Sequence, residues 1–243
     1  MKTFKIECAG YSVDADWYEG KHTNEILLSL IGWTSNRKKY RDIVSAIVQN
    51  TGISALVFEY SGHGDSKVDV GKTRPAQHFL EVIYVFDWIK VHYPNAKISV
   101  MGASYGGFMA VQLTKYRVFD KLVLRAPAIY KPSDFYTLNS VINSDEGWAS
   151  KDAFRRDVEA LAKHPLLARA SDFKGKTLVV VHENDELVPK ETTDAYIKAF
   201  NADVFIAKEA PHSIGELPIE QITAYQYAIS DWLNNQNPSN SST

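Results

Sequence analysis

Cysteine is almost missing from this 243-residue chain. Its one thiol, Cys8, has no second cysteine in the chain to pair with, which excludes a disulfide scaffold and leaves an inert strand thiol as the expectation. An excess of charge of either sign is also missing. Lys plus Arg number 27 against 29 Asp plus Glu, a net charge of −2, so there is no electrostatic footprint for nucleic acid or an anionic membrane. The longest apolar run, Ile26 to Ile31, is interrupted by Ser29 and falls far short of the roughly 20 residues that span a bilayer. Met1 to Gly10 lacks the apolar stretch of about 7 to 15 residues that marks a signal peptide. A cytoplasmic protein with no membrane span is therefore expected. What is present is an ordinary globular balance, 45% hydrophobic and 23% charged, which argues against a collagen or a disordered chain. Small-molecule chemistry is the class that remains.

The length suits one α/β domain, expected over residues 1–236, with the polar stretch 237–243 as a disordered tail. Short β-branched and aliphatic runs recur at Ile26 to Ile31, Ile53 to Phe58, Ile98 to Met101, Leu122 to Leu124, Leu178 to Val181 and Val204 to Ala207. These read as buried strands. Helical periods lie between them: Tyr40, Ile43, Val44, Ile47 and Val48 share one face, with Ser35 as the candidate N-cap and Gly52 beyond the end. Phe79, Val82, Ile83, Phe86 and Ile89 make a second stripe stopped by Pro94, and Ile222, Tyr225, Ile229 and Trp232 a last one. Strands alternating with helices predict a parallel sheet. Thr3 to Cys8 and Tyr11 to Tyr18 alternate around Ala9-Gly10 as an antiparallel hairpin would. The gap from Leu124 to Leu178 is roughly 30 residues longer than one βα unit requires, so an insertion is expected at about 127–165. It carries Tyr130, Phe135, Tyr136, Trp148 and Phe154, with a helical stretch near Asp152 to Lys163, and reads as a small lid.

Gly102-Ala103-Ser104-Tyr105-Gly106 fits G-x-S-x-G. Gly and Ser are common enough that the pattern alone carries little; its context carries more, because a strand ends at Met101 and a helical run through Phe108, Met109, Val111 and Leu113 follows. A serine on such a turn projects above the sheet, and glycines two residues either side let the backbone fold tightly. A serine hydroxyl needs a base, and the base an orienting carboxylate. His212, in Glu209-Ala210-Pro211-His212-Ser213, follows the strand Val204 to Ala207; Asp185 follows Leu178 to Val181 in His182-Glu183-Asn184-Asp185. Both sit where the carboxyl edge of a parallel sheet collects catalytic groups.

At Ser104, Asp185 and His212, in that chain order, the sequence resembles the α/β-hydrolase superfamily, and within it the compact lidded serine carboxylesterases such as the cinnamoyl and feruloyl esterases. Phe58 to Ser66 looks like that family's turn after an early strand, and the likeness covers almost the whole chain. It implies the α/β-hydrolase fold, a mostly parallel sheet with helices on both faces and a small lid. It also implies an oxyanion hole of two backbone N–H groups, those of Tyr105 and of Trp33 in Ile31-Gly32-Trp33-Thr34. Two departures stand out: Ile31 replaces a frequent histidine and His182 a frequent glycine. No cofactor is implied.

Duller readings compete at several positions. His63, between two glycines, reads as a turn residue rather than a base. His182, Glu183, Asp185 and Glu186 crowd together, but strand alternation sends neighbours to opposite faces and no metal is expected. The sequence thus predicts a serine hydrolase of carboxylic esters, its substrate a small molecule in a pocket lined by Trp33, Tyr130, Phe135 and Trp148. The same triad would serve a thioesterase, drawing on Lys151, Arg155 and Arg156, or an aminopeptidase using Asp145-Glu146 or Asp152 to hold a substrate ammonium. A non-enzymatic binding protein on the same fold is a further alternative. Oligomeric state leaves no mark on the sequence.

Overall fold

Six parallel strands carry the architecture of the computed structural model, which describes residues 1–235; the polar stretch 237–243 lies outside the described residues. Each expected strand forms: β3 (His22–Leu30), β4 (Ile53–Phe58), β5 (Lys97–Ala103), β6 (Lys121–Arg125), β7 (Lys176–His182) and β8 (Asp203–Ala207). The hairpin β1 (Lys2–Cys8) and β2 (Tyr11–Tyr18) pairs antiparallel and joins the sheet through β2 against β4. The strand order is β1-β2-β4-β3-β5-β6-β7-β8. All six residues of β4 are buried, which explains a sequence that is apolar almost without alternation: its two faces are both covered. Cys8 is buried in β1, and burial together with the nearby Glu81 carboxylate pushes its thiol up to about 12.

The helices follow the stripes. Helix α1 (Arg41–Thr51) buries Ile43, Val44 and Ile47 and ends at Gly52, whose φ of 76° is the left-handed cap glycine adopts without strain. Ser35 is not its cap. The Ser35 amide closes a turn onto the Gly32 carbonyl, and Asn36 instead accepts the Lys39 amide at 3.1 Å, opening a single 3₁₀ turn ahead of α1. Helix α2 (Pro75–His92) starts on proline, where no intrahelical donor is lost. Helix α3 (Tyr105–Leu113) follows β5 directly.

Between β6 and β7 lie α4 (Asn139–Ile142), α5 (Asp145–Arg156) and α6 (Val158–Ala162). The single helix expected near Asp152 to Lys163 is two. Asp157 breaks it, its side chain capping α6 by accepting the Ala160 amide at 2.9 Å. Asn139 ties the segment to Thr73 through two 2.9 Å hydrogen bonds, and the Thr192 hydroxyl at the start of α7 (Lys190–Phe200) donates to the Arg155 carbonyl. Helix α8 (Ile219–Asn234) packs against α1.

Candidate functional site

Ser104 stands between β5 and α3 with φ 51° and ψ −115°. That is a strained backbone for a residue with a Cβ, held by four hydrogen bonds: its N–H donates to the Arg125 carbonyl at 2.9 Å, and its C=O accepts from Gly107, Phe108 and Ala128. The flanking glycines are required by space. A Cβ on Gly106 would lie 2.2 Å from the Leu30 carbonyl oxygen, and one on Gly102 would lie 2.2 Å from that of Gly106. Because those neighbours are backbone, Gly106→Ala is expected to destabilise the fold by about 3 kcal/mol or more, read as a fall in the urea midpoint; an unchanged midpoint would show that the turn relaxes freely.

Asp185 follows β7, and its Oδ1 accepts the amides of Leu187 at 2.9 Å and Val188 at 2.8 Å. His212 Nδ1 reaches both its carboxylate oxygens, at 2.9 and 2.8 Å. Burial would raise the Asp185 carboxyl, but the hydrogen bonds and charge interaction with His212, and the two amides, hold it below the ordinary value. An ionised carboxylate accepting from Nδ1–H leaves the Nε2 lone pair free. Asp185 and His212 are thus brought together, whereas no hydrogen bond joins Ser104 to His212 among the described residues.

The loop after β3 approaches Ser104 closely, since a Cβ on Gly32 would sit 3.7 Å from that of Ser104. Where Ile31 departs from the expected histidine, the Gly32 amide is held instead by the Tyr40 hydroxyl at 2.8 Å. The amides of Trp33 and Tyr105 make no hydrogen bond among the described residues. The Trp33 ring lies against those of Tyr105, His63 and His78, and Tyr130 against Tyr105 and Phe108. Phe135 packs on Phe108, Phe79 and Tyr136, and Trp148 lies against the cations of Lys151 and Arg155. Among the described residues no group of three or more His, Cys, Asp or Glu is placed to hold a metal, and no helix is long and apolar enough to cross a membrane.

Sequence reasoning missed what lies beneath the loops. The Arg125 guanidinium is buried with no carboxylate in contact among the described residues; Nε donates to the Tyr225 hydroxyl at 2.7 Å, and the Tyr40 ring lies 5.9 Å away. Tyr225 bonds His182 Nε2 at 3.0 Å, and His182 Nδ1 bonds the carbonyl of Pro211, the residue before His212, at 2.8 Å. One consistent assignment of protons runs through the chain: Arg125 to Tyr225, Tyr225 to His182, His182 to Pro211. His182 thereby acquires a hydrogen-bonding role that its sequence position left unexplained, and the sequence signal for this network was an arginine directly after the buried run Leu122 to Leu124.

His63 is buried against Trp33, Tyr60, His78 and Tyr105. His78 bridges the Tyr105 hydroxyl at 2.7 Å and the Ser61 carbonyl at 2.9 Å. Burial lowers His63 and His182 to about 4 and His78 to about 3, the His63 ring adding to the last and the Arg125 cation to His182. An unfolded chain would hold these protons up to about pH 6.5. As pH falls from there toward 4 the unfolded state binds more protons than the native one, so stability is complete above 6.5 and drains away below it. A loss on the order of 1 to 3 kcal/mol per histidine is expected, seen as a steep fall in Tm between pH 6.5 and 4; a flat Tm there would contradict neutral burial.

Residues 21–156 match the family model described as serine aminopeptidase S33. The lysophosphatidylserine lipase ABHD12 of Bos taurus is 29% identical over 122 residues, 47% of this chain and 30% of that protein, and its Xenopus tropicalis counterpart 27% over a similar stretch. The chain thus matches under a third of the length of these relatives. Among solved structures, a Pseudomonas aeruginosa hydrolase superposes with a TM-score of 0.71 at 16% identity, covering 96% of this chain and 99% of that one. A Pyrococcus furiosus esterase gives 0.69 at 19% identity, over 96% and 88%, and a Paleococcus ferrophilus monoacylglycerol lipase 0.68 at 15%, over 96% and 99%. At these identities the likeness is one of fold, the α/β-hydrolase fold.

Proposed function

The chain belongs to the serine aminopeptidase S33 family, and from that premise we propose that it is a serine hydrolase that cleaves carboxylic esters of small to medium acyl or aromatic acids through an acyl-enzyme on Ser104. The observation that carries the reading is the Asp185–His212 pair at the same sheet edge as a serine held at φ 51°. His212 Nε2 takes the Ser104 proton as Oγ attacks the carbonyl, then returns it to the leaving alcohol. Water repeats the sequence on the acyl-enzyme and releases the acid. The contact between Ser104 and His212 is one that tightens when substrate arrives. Asp185 fixes the histidine tautomer, and the free amides of Trp33 and Tyr105 receive the oxyanion, each contributing about 2.7 to 4 kcal/mol in comparable sites.

The body, one domain, is covered in this reading by residues 127–165, with Tyr130 and Trp33 walling the acyl side. Charge on that segment favours an ester over the aminopeptidase alternative. Asp145 and Glu146 are exposed, and Asp152 pairs with Arg156 on the outer surface, so none faces inward to hold an ammonium. The esterase and lipase names of the similar proteins point the same way.

The test is a hydrolysis panel of nitrophenyl esters of increasing acyl length, methyl ferulate, an acyl thioester and an aminoacyl anilide, run beside covalent labelling by a fluorophosphonate. Turnover of oxygen esters with the label on Ser104 is expected. Preference for the thioester or anilide, or a label on another residue, would overturn the proposal.

A further inference from the structure

Helix α5 is amphipathic in an unusual sense. An ordinary surface helix buries apolar side chains and leaves charge outside, yet α5 buries Lys151 and Arg155, one turn apart and each only 2% exposed. Its acids Asp145 and Glu146 are exposed and Asp152 is spent on Arg156. Neither buried cation has a carboxylate within 4 Å among the described residues. Arg155 is used structurally, Nε donating to the Ile129 carbonyl and Nη1 to the Leu187 carbonyl, both at 3.1 Å. Lys151 is not so placed. Its ammonium has three donors and one protein acceptor, Asn143 Oδ1 at 2.8 Å; the remainder of its surroundings is aromatic, with the Trp148 ring centre at 3.8 Å and that of Tyr130 at 5.3 Å.

Two like charges share one ring, for the Arg155 guanidinium carbon also lies 5.3 Å from the Tyr130 centroid. Burial lowers Lys151 to about 8, the Arg155 charge adding to the effect and Asp134 opposing it. Removing an unpaired ammonium from water is costly, and a cation left with open donors is a ready receptor for an anion. The place is also informative. Tyr130 packs on Tyr105, the residue after Ser104; the Ala128 amide donates to the Ser104 carbonyl; and Leu187, which Arg155 grips, gives its own amide to Asp185. The cationic face of α5 is therefore tied to the segment after β6 that holds the Ser104 carbonyl, through Ile129 and Tyr130, and to the acid loop, through Leu187.

We infer that Lys151, backed by Arg155, is a specificity-determining subsite for an anionic group, so that the preferred ester carries a carboxylate or a phosphate in addition to the bond cleaved. The inference rests on the ester reading above and narrows its substrate class. A carboxylate would arrive on the acyl side, as in a dicarboxylic half-ester; a phosphate would arrive on the alcohol side, as in an acylated glycerol phosphate. The same ammonium would serve either.

Two matched pairs separate these sources: 4-nitrophenyl butyrate against 4-nitrophenyl hemisuccinate, and monobutyrin against butyryl-glycerol phosphate. Wild-type enzyme is expected to favour the anionic member of at least one pair by about tenfold or more in kcat/KM, through KM. Lys151→Met should abolish that ratio, a change of about 10- to 100-fold for one hydrogen bond to a charged group, and Lys151→Arg should restore most of it. A purely structural lysine would instead lower both members together and leave the ratio standing. Equal or better turnover of the neutral members by wild type, or an unaltered ratio in Lys151→Met, overturns the inference. Binding of butyl phosphate to the wild-type protein, followed calorimetrically, needs no turnover and no variant fold. If none of the four esters reacts, the ester reading falls, while butyl phosphate binding would still uphold the subsite and its absence would remove it.

Discussion

Replacing Ser104 with alanine is expected to lower ester turnover by about 10⁴- to 10⁶-fold, the range seen when a serine hydrolase loses its nucleophile, with Tm held within a few degrees of wild type. The two halves of that expectation have separate causes. Activity goes because the acyl group has no oxygen to be transferred to, and the remaining amides can only polarise the carbonyl for unassisted water. Stability stays because the side chain has no part in holding the turn: the four hydrogen bonds at Ser104 are all made by its main chain, and alanine is strained at φ 51° to about the degree serine is. Steady-state assay and thermal unfolding on the same preparation check both. Residual activity above about one part in a hundred would place the chemistry elsewhere.

Asp185→Asn is expected to cost about 10³- to 10⁴-fold in kcat, as when an orienting carboxylate is made an amide. Here the arrangement leaves the amide no good choice. The Asp185 Oδ1 already accepts the amides of Leu187 and Val188, so asparagine must keep its oxygen there and turn its NH₂ toward His212. That NH₂ would face Nδ1 and drive the imidazole proton to Nε2, the atom that has to receive the serine proton. Reversing the amide would save the tautomer and orphan two backbone donors instead. The fluorophosphonate labelling rate of Ser104 should fall in parallel with kcat, because both depend on the same base. A variant that labels at the wild-type rate would remove Asp185 from the mechanism.

Strand positions were legible because buried parallel strands must be apolar on two faces, and Ile53–Phe58 is bounded identically by pattern and by structure. The placement of Ser104, Asp185 and His212 just beyond the carboxyl ends of β5, β7 and β8 was legible because each follows an apolar run in the sequence. Caps were harder: Ser35 and Asn36 are both good capping residues, and only the turn onto Gly32 decides between them. The break at Asp157 was hidden because an aspartate there suits a helix surface as well as a cap. The inward charges of α5 were hidden for a different reason. Lys151 with Arg155 and Asp152 with Arg156 have the same spacing one residue apart, and which pair faces the body depends on a rotation of the helix that tertiary packing fixes. The support of His212 through Tyr225 and Arg125 joins residues 100 apart, beyond any local pattern.

That support has a consequence for synthesis. Arg125 lies in the middle of the chain, whereas the hydroxyl that satisfies it comes from Tyr225, and the hydrogen bonds run on through His182 to Pro211, the residue before His212. A ribosome that has released β6 has therefore made an arginine destined for the interior, about a hundred residues before its partner is translated. Until α8 is made, that guanidinium lacks its Tyr225 acceptor. In the proposed mechanism the nucleophile is thus synthesised well before its base, and a chain cut short of α8 is expected to leave ester uncleaved.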